Sequence, residues 1–507
     1  MKAGHVGLTR RTLGGLVWMG SGKAAFTLLQ LLVLSVLGRL LTPADFGVVS
    51  AAVVVIGLST IVSNLGLGPA IVQRPELEER HLNTAFTASL ALGIGLGVIV
   101  WLAAPLAADF MRMPGMTPVL RVLAWVFPIN GLGTVAGSLL ARDLEFSWLA
   151  IRDVITYGLG YGLVGIGTAL LGWGVWALVA AQLAQAALKS AVLLARHPPP
   201  RRLALQSQAF KDLAYFGGGF TVARLANYAA VYGDNVVTGR FLGPAALGYY
   251  GRAYSLMSAP AYAFGTVLDA VLFPAMAKVQ DDSRRLAAAY LRAVALIALL
   301  VLPLSAALIL LAPEVVRVAL GPRWGLAVAP FQILGIGMLF RTSYKMSDSI
   351  ARSTGAVYRR AWRQVIYAAL VVLGAWIGQH WGIAGVAWGA LAALTVNFLM
   401  MAALSLDVAR ITWTDFWVAH RPAVLLTLVS YPPVWLATRS ARTLGLPALA
   451  VLSLAGATLL LVCGALVWGA PSRFLGAHGE WMVKTMRSFV RRPARPVLAA
   501  TDALEAR

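Results

Sequence analysis

Uninterrupted apolar runs of about 20 residues recur along almost the whole of this 507-residue chain, and no other feature narrows the choice of fold as far. A run of that length crosses a bilayer as one helix. Because the runs are continuous, with no alternation of polar and apolar residues, helices are predicted and a β-barrel is not. Composition agrees: 59% of residues are hydrophobic and 12% charged, about half the charged share of an ordinary soluble domain. The expected fold class is an all-α polytopic membrane protein with about fourteen transmembrane helices. They fall near residues 15–37, 45–66, 84–110, 118–140, 150–171, 174–195, 213–235, 245–274, 287–312, 326–350, 362–380, 382–404, 421–438 and 446–469.

Several function classes drop out at once. The net charge of +22 comes from Lys and Arg distributed between the apolar runs, so nucleic acid is not an expected partner. The single cysteine, Cys463, lies within an apolar run and permits neither an intrachain disulfide nor a cysteine-based zinc site. No HExxH or GxxxxGK[ST] element occurs, the six histidines are scattered, and no loop is large enough for a catalytic domain. Neither an enzyme nor a resident cofactor or metal is expected. The first apolar run is long enough to span and leads straight into others, so it reads as a helix and not as a cleaved signal.

Lys and Arg concentrate in alternate loops. Lys2, Arg10, Arg11, Arg74, Arg80, Arg142, the segment 196–212 and the tail share one side, which the positive-inside rule makes cytoplasmic, with both termini there. The Pro-rich segment 196–212 is the longest connection. It divides the chain into a first lobe, 1–195 with helices 1–6, and a second, 213–404 with helices 7–12. Helices 13 and 14 occupy 405–470. The basic tail 471–507 is expected to touch anionic lipid.

The two lobes look like copies. GRLLTPADFG at 38–47 recurs as GRFLGPAALG at 239–248, with six of ten positions identical, and each is a helix hairpin turn. Ala141-Arg142 matches Ala351-Arg352, and Trp173-Gly174 matches Trp381-Gly382. The offsets, 201, 210 and 208, are nearly constant. An even number of spans per copy makes the repeat parallel, not inverted.

Ionisable side chains in the bilayer core cost several kcal/mol unless they face a cavity or a partner, so they rank first as candidates. Lys23 in the first span shares a polar stripe with Gln30. At the 201 offset Arg224 stands opposite it in the seventh, with Asn227, Tyr228 and Asp234 following. The eighth span carries Arg252, Tyr262 and Asp269; the tenth carries Arg341, Lys345, Asp348 and Arg352 at spacings of four, three and four. Each has a plainer alternative. Lys345 and Asp348 form an i, i+3 pair near a helix end, Arg252 snorkels to the interface, and Asp234 and Asp269 are interfacial. Trp and Tyr at span ends read as interface anchors.

At LGRLLTPADFG and NLGLGPAIVQRPELEERHLNTAF (Asn64–Phe86) the chain resembles the polysaccharide-transporter branch of the multidrug/oligosaccharidyl-lipid/polysaccharide exporter superfamily, the Wzx-type flippases. The resemblance implies two lobes facing a central cavity that opens alternately to the two membrane faces. It implies as cargo an undecaprenyl-diphosphate-linked oligosaccharide, moved from the cytoplasmic to the periplasmic leaflet of a bacterial inner membrane. Membrane lipids, and a polymerase and glycosyltransferases of the same pathway, are the implied partners. The residues fit independently, because a diphosphate crossing a low-dielectric core needs cations, and Lys23, Arg224, Arg252, Arg341 and Lys345 are available. Gln30, Asn227, Tyr228 and Tyr262 suit a sugar, and Asp234, Asp269 and Asp348 suit coupling to a proton or sodium gradient. The rivals are a lipid II flippase, a drug/cation antiporter, which needs acids in the first lobe, and a membrane polymerase, which needs a large acidic loop.

Overall fold

In the computed structural model, residues 26–63, 67–74, 76–198, 203–207, 218–477 and 479–480 are described; at 61–63, 146, 218–226, 262–275 and 357 this extends to the backbone alone. Among these residues there is no β-strand. The first half comprises α1 (Phe26–Leu40), α2 (Pro43–Ser63), α3 (Leu67–Gln73), α4 (Glu79–Met111), α5 (Met116–Leu123) and α6 (Val126–Arg142). It continues with α7 (Phe146–Tyr157), a π-helical segment (Gly158–Gly165), α8 (Ile166–Leu170) and α9 (Val175–Arg196). The second half holds α10 (Gly218–Ala277), α11 (Ser283–Leu310), α12 (Ala312–Ala319), α13 (Val328–Ile336), α14 (Met338–Ser353), α15 (Val357–Gly378) and α16 (Gly382–Ala409). Two long helices, α17 (Trp413–Thr443) and α18 (Ala448–Gly469), follow.

Eight helical segments among the described residues are long and apolar enough to cross a membrane, and the α13–α14 region, bent by 45°, makes a ninth. Leu102, Leu106, Leu171, Leu460 and Leu461 stand more than 60% exposed, an apolar outer surface that only lipid satisfies. At α17 it is capping, and not hydropathy, that sets where the helix begins. The α17 helix starts at Trp413, well before the apolar interval near 421. There Thr412 Oγ1 donates to the Asp415 carboxylate at 2.6 Å and accepts from the Asp415 N–H at 3.1 Å.

Both hairpin turns form, by different local chemistry. In the first, Thr42 caps α2 reciprocally with Asp45, at 2.7 and 3.3 Å, with Pro43 as the first helical residue. In the second, Gly243 occupies the capping position before Pro244. Its φ of 87° breaks α10 into two antiparallel arms, a conformation a side chain would strain.

The two turns lie against each other, and they do so reciprocally. A Cβ built on Gly47 would meet the Pro244 carbonyl, with the Pro244 Cα at 3.0 Å; one on Gly248 would meet the Pro43 carbonyl, with the Pro43 Cα at 3.1 Å. Around this contact each turn reaches into the other half. Arg39 donates to the Val318 carbonyl at 2.7 Å, while Arg240 donates to the Phe110 carbonyl at the end of α4. The buried Trp324 indole donates to the Gly38 carbonyl at 2.8 Å. Because α2 packs along both arms of α10, one hydrophobic core runs through both halves.

Candidate functional site

Below the paired turns, between the halves, lies a cavity of about 450 Å³. Its first-half wall comes from α1 (Thr27, Gln30), α2 (Phe46, Ser50), the end of α7 (Tyr157), the π-helical segment (Tyr161) and α9 (Gln182). Its second-half wall comes from the two arms of α10, with Tyr232 and Asn235 on one and Arg252, Tyr254, Ser255 and Ser258 on the other. The turn itself takes part, since Phe46 is a lining residue. The first turn is therefore part of the cavity's roof.

Arg252 is the one charged residue lining the cavity among the described residues. Its guanidinium carbon sits 5.0 Å from the Phe46 ring centroid, and its Nε is buried with no hydrogen-bond partner. Such an unsatisfied donor costs energy unless a ligand or water meets it. Opposite, Tyr157 and Tyr161 are stacked, with centroids 4.9 Å apart and planes 16° apart, within electrostatic reach of Arg252. The π-helical turn that carries Tyr161 packs tightly on α9, where a Cβ on Gly160 would meet Gln185 Cβ at 2.7 Å. The result is an aromatic and amide wall facing one cation.

Of the residues singled out from sequence, Gln30 and Arg252 meet in this cavity; Arg252 points inward and does not snorkel. Arg341 lies one layer behind, buried, its guanidinium carbon 4.7 Å from the ring centroid of the lining Tyr254. Asp234, also buried, accepts from the Tyr250 hydroxyl at 2.6 Å and from the Asn235 N–H at 2.8 Å. It borders the cavity without facing an interface. Asp348 is tied to Arg352 at 3.1 Å and to Arg360, and Lys345 stands half-buried one turn before it. Asn227 accepts from Gln364 at 3.4 Å. Lys23 lies outside the described residues, and so do the side chains of Arg224, Tyr262 and Asp269.

Tyr228 ties the halves together: its hydroxyl donates to the Val54 carbonyl of α2 at 2.9 Å, and its ring covers Gly57. Tyr228→Phe is expected to lower stability by about 1 kcal/mol, read as a fall in the melting temperature of the purified protein. An unchanged melting temperature would mean that this bond does not hold the halves together.

The tyrosines Tyr157, Tyr161, Tyr232 and Tyr254 were not legible as a site, because a Tyr in or beside an apolar run packs in a core or anchors at the interface as readily as it faces a cavity. The available signal was their pairing. Tyr157 and Tyr161, Tyr228 and Tyr232, and Tyr250 and Tyr254 are each four apart, so each pair shares a helix face.

The sequence family described as "Polysaccharide biosynthesis protein" matches residues 36–329, more than half of the chain. The chain belongs to this family. The chain is 24% identical over 405 residues to the lipopolysaccharide biosynthesis protein WzxC of Escherichia coli K12, covering 78% of this chain and 80% of that one. It is 24% identical over 355 residues to the teichuronic acid biosynthesis protein TuaB of Bacillus subtilis 168, covering 69% and 72%. It is 27% identical over 319 residues to the succinoglycan biosynthesis transport protein ExoT of Rhizobium meliloti 1021, covering 63% and 64%. Among solved structures, the lipid II flippase MurJ in an inward closed conformation matches with a TM-score of 0.71 at 12% identity, over 89% of this chain and 99% of that one. An inward-facing MATE transporter of the MOP superfamily matches at 0.60 and 18% identity, over 78% and 99%. These two likenesses are of fold. The chain thus belongs to a polysaccharide-biosynthesis family and shares the fold of these flippase and transporter structures.

Proposed function

We propose that this protein carries an undecaprenyl-diphosphate-linked oligosaccharide across a bacterial inner membrane, from the cytoplasmic to the periplasmic leaflet, by alternating access through the cavity between its halves. The observation that carries this reading is Arg252, a lone cation with an unmet Nε donor, facing stacked tyrosines and amides. An anionic group on a sugar head satisfies the guanidinium, while Tyr157, Tyr161, Gln30, Gln182 and Asn235 suit sugar rings and hydroxyls. Lys23 and Arg224, which the sequence puts in the first and seventh spans, are proposed as further cations on the cargo's path. The lipid tail stays in the bilayer as the head crosses. Loop charge makes the linker side cytoplasmic, so the paired turns form the periplasmic closure. Their reciprocal contacts also support reading the halves as two copies of one bundle, 1–195 and 213–404. Asp234, beside the cavity, is the candidate coupling acid.

An antiporter for cationic drugs needs a carboxylate in the cavity, and among the described residues none lines it. In cells lacking this protein, lipid-linked oligosaccharide is expected to accumulate and surface glycan to vanish, with growth preserved. Arrested growth with lipid II accumulation points to the peptidoglycan precursor instead. Surface glycan at the normal level removes the export role.

A further inference from the structure

A second cavity, of about 460 Å³, opens at the outer surface of the second half, where the end of α11 meets the last turns of α17. Leu310, Trp435, Thr438, Arg439, Arg442 and Thr443 line it. It lies at the level of the paired turns, because α12, which follows Leu310 directly, holds Arg39 through the Val318 carbonyl. That is the depth at which a spanning helix leaves hydrocarbon for the headgroup layer.

The two arginines play different parts. Arg442 is fixed: its Nε and one terminal nitrogen clasp Glu314 at 2.7 and 2.8 Å, and that nitrogen also donates to the Leu310 carbonyl at 3.0 Å. Its charge is matched by Glu314, but its second terminal nitrogen has no partner among the described residues. Arg439 has neither an ion pair nor a hydrogen bond among those residues; its guanidinium carbon lies 5.2 Å from the Trp435 ring centroid. One uncompensated cation and a row of unused N–H donors therefore edge the cavity. The helix end does not oppose an anion there. The last carbonyls of α17 are capped by the N–H groups of Leu444, Gly445 and Leu446 at 3.0, 3.1 and 3.1 Å, with Gly445 in the left-handed region at φ 67°. Toward the membrane interior, α17 presents Leu428 and Leu436, 66% and 59% exposed.

We propose that this cavity is a phospholipid site, in which Arg439 and the free nitrogen of Arg442 hold the phosphodiester of an anionic headgroup and the acyl chains lie along α17. A phosphate at headgroup depth supplies the charge that Arg439 lacks, Trp435 supplies the interfacial ring, and the exposed leucines supply the apolar track. The site would fasten α17, and with it α18, to the second half.

The test is native mass spectrometry of the purified protein with phosphatidylglycerol, phosphatidylcholine or inorganic phosphate. Wild type is expected to retain phosphatidylglycerol over phosphatidylcholine, and Arg439→Gln to lower that retention about fivefold at an unchanged melting temperature. Arg439→Lys is expected to keep the preference. The double variant Glu314→Gln with Arg442→Gln, which leaves no unpaired carboxylate, is expected to weaken it further. Equal retention of both lipids by wild type, or an unchanged preference in Arg439→Gln, overturns the assignment. Displacement of the lipid by an equal concentration of inorganic phosphate reduces the cavity to a free-anion site and overturns it too.

Discussion

Replacing Arg252 with alanine is expected to stop glycan export while the protein stays in the membrane at its normal level. The cavity has one charged lining residue among the described residues, and its buried Nε has no internal partner, so no other group there takes over its role. A hydrogen bond to a charged group contributes about 1.5–3 kcal/mol, which corresponds to roughly a 10- to 150-fold loss of affinity for an anionic head. Stability should hardly change, because the substitution breaks no ion pair and removes a ring contact of about 1 kcal/mol. Arg252→Lys keeps the charge but not the planar fork, so partial export is expected. Surface glycan, measured beside the protein level in membranes, reads both variants. Wild-type export from the alanine variant would rule out an anion-binding role for this side chain.

The second large effect is expected at the roof. Valine at Gly47 or Gly248 has no room, since even a Cβ would run into the carbonyl of Pro244 or Pro43. Overpacking of this kind costs about 1–3 kcal/mol, charged here to the state in which the turns touch and not to a state in which they part. A shift of that size changes the balance of the two states by roughly 5- to 150-fold. Each valine variant is therefore expected to hold the turn side open and to abolish cycling. The readout is a cysteine at Ser50, a cavity residue, in a Cys463→Ser background, labelled by an impermeant maleimide. Labelling from the turn side should rise several-fold in the valine variants. If labelling and export both match the glycine protein, the turns are not a gate.

How far the site could be read in advance depended on the kind of signal. Arg252 stood out because a lone charge within an apolar run is costly wherever it points, and Gln30 because it shared a polar stripe. The stacked tyrosines did not stand out, since nothing local distinguishes a tyrosine facing a cavity from one facing headgroups. Asp348 looked equivalent to Asp234 by span position. Yet Asp348 is held by Arg352 and Arg360, and the latter belongs to the next helix.

Continuous apolar runs, capping residues and the doubled turn are properties of short windows, so helices, membrane insertion and the hairpins at 38–47 and 239–248 were determined by sequence alone. What those turns touch was not, because Gly47 meets Pro244 and Gly248 meets Pro43 across about two hundred residues of chain, through backbone atoms that carry no side-chain signature. Only the tertiary packing of α2 against the two arms of α10 turns a repeated motif into a roof. The same packing places Arg252, out of reach of any carboxylate among the described residues, where an anion is its natural partner.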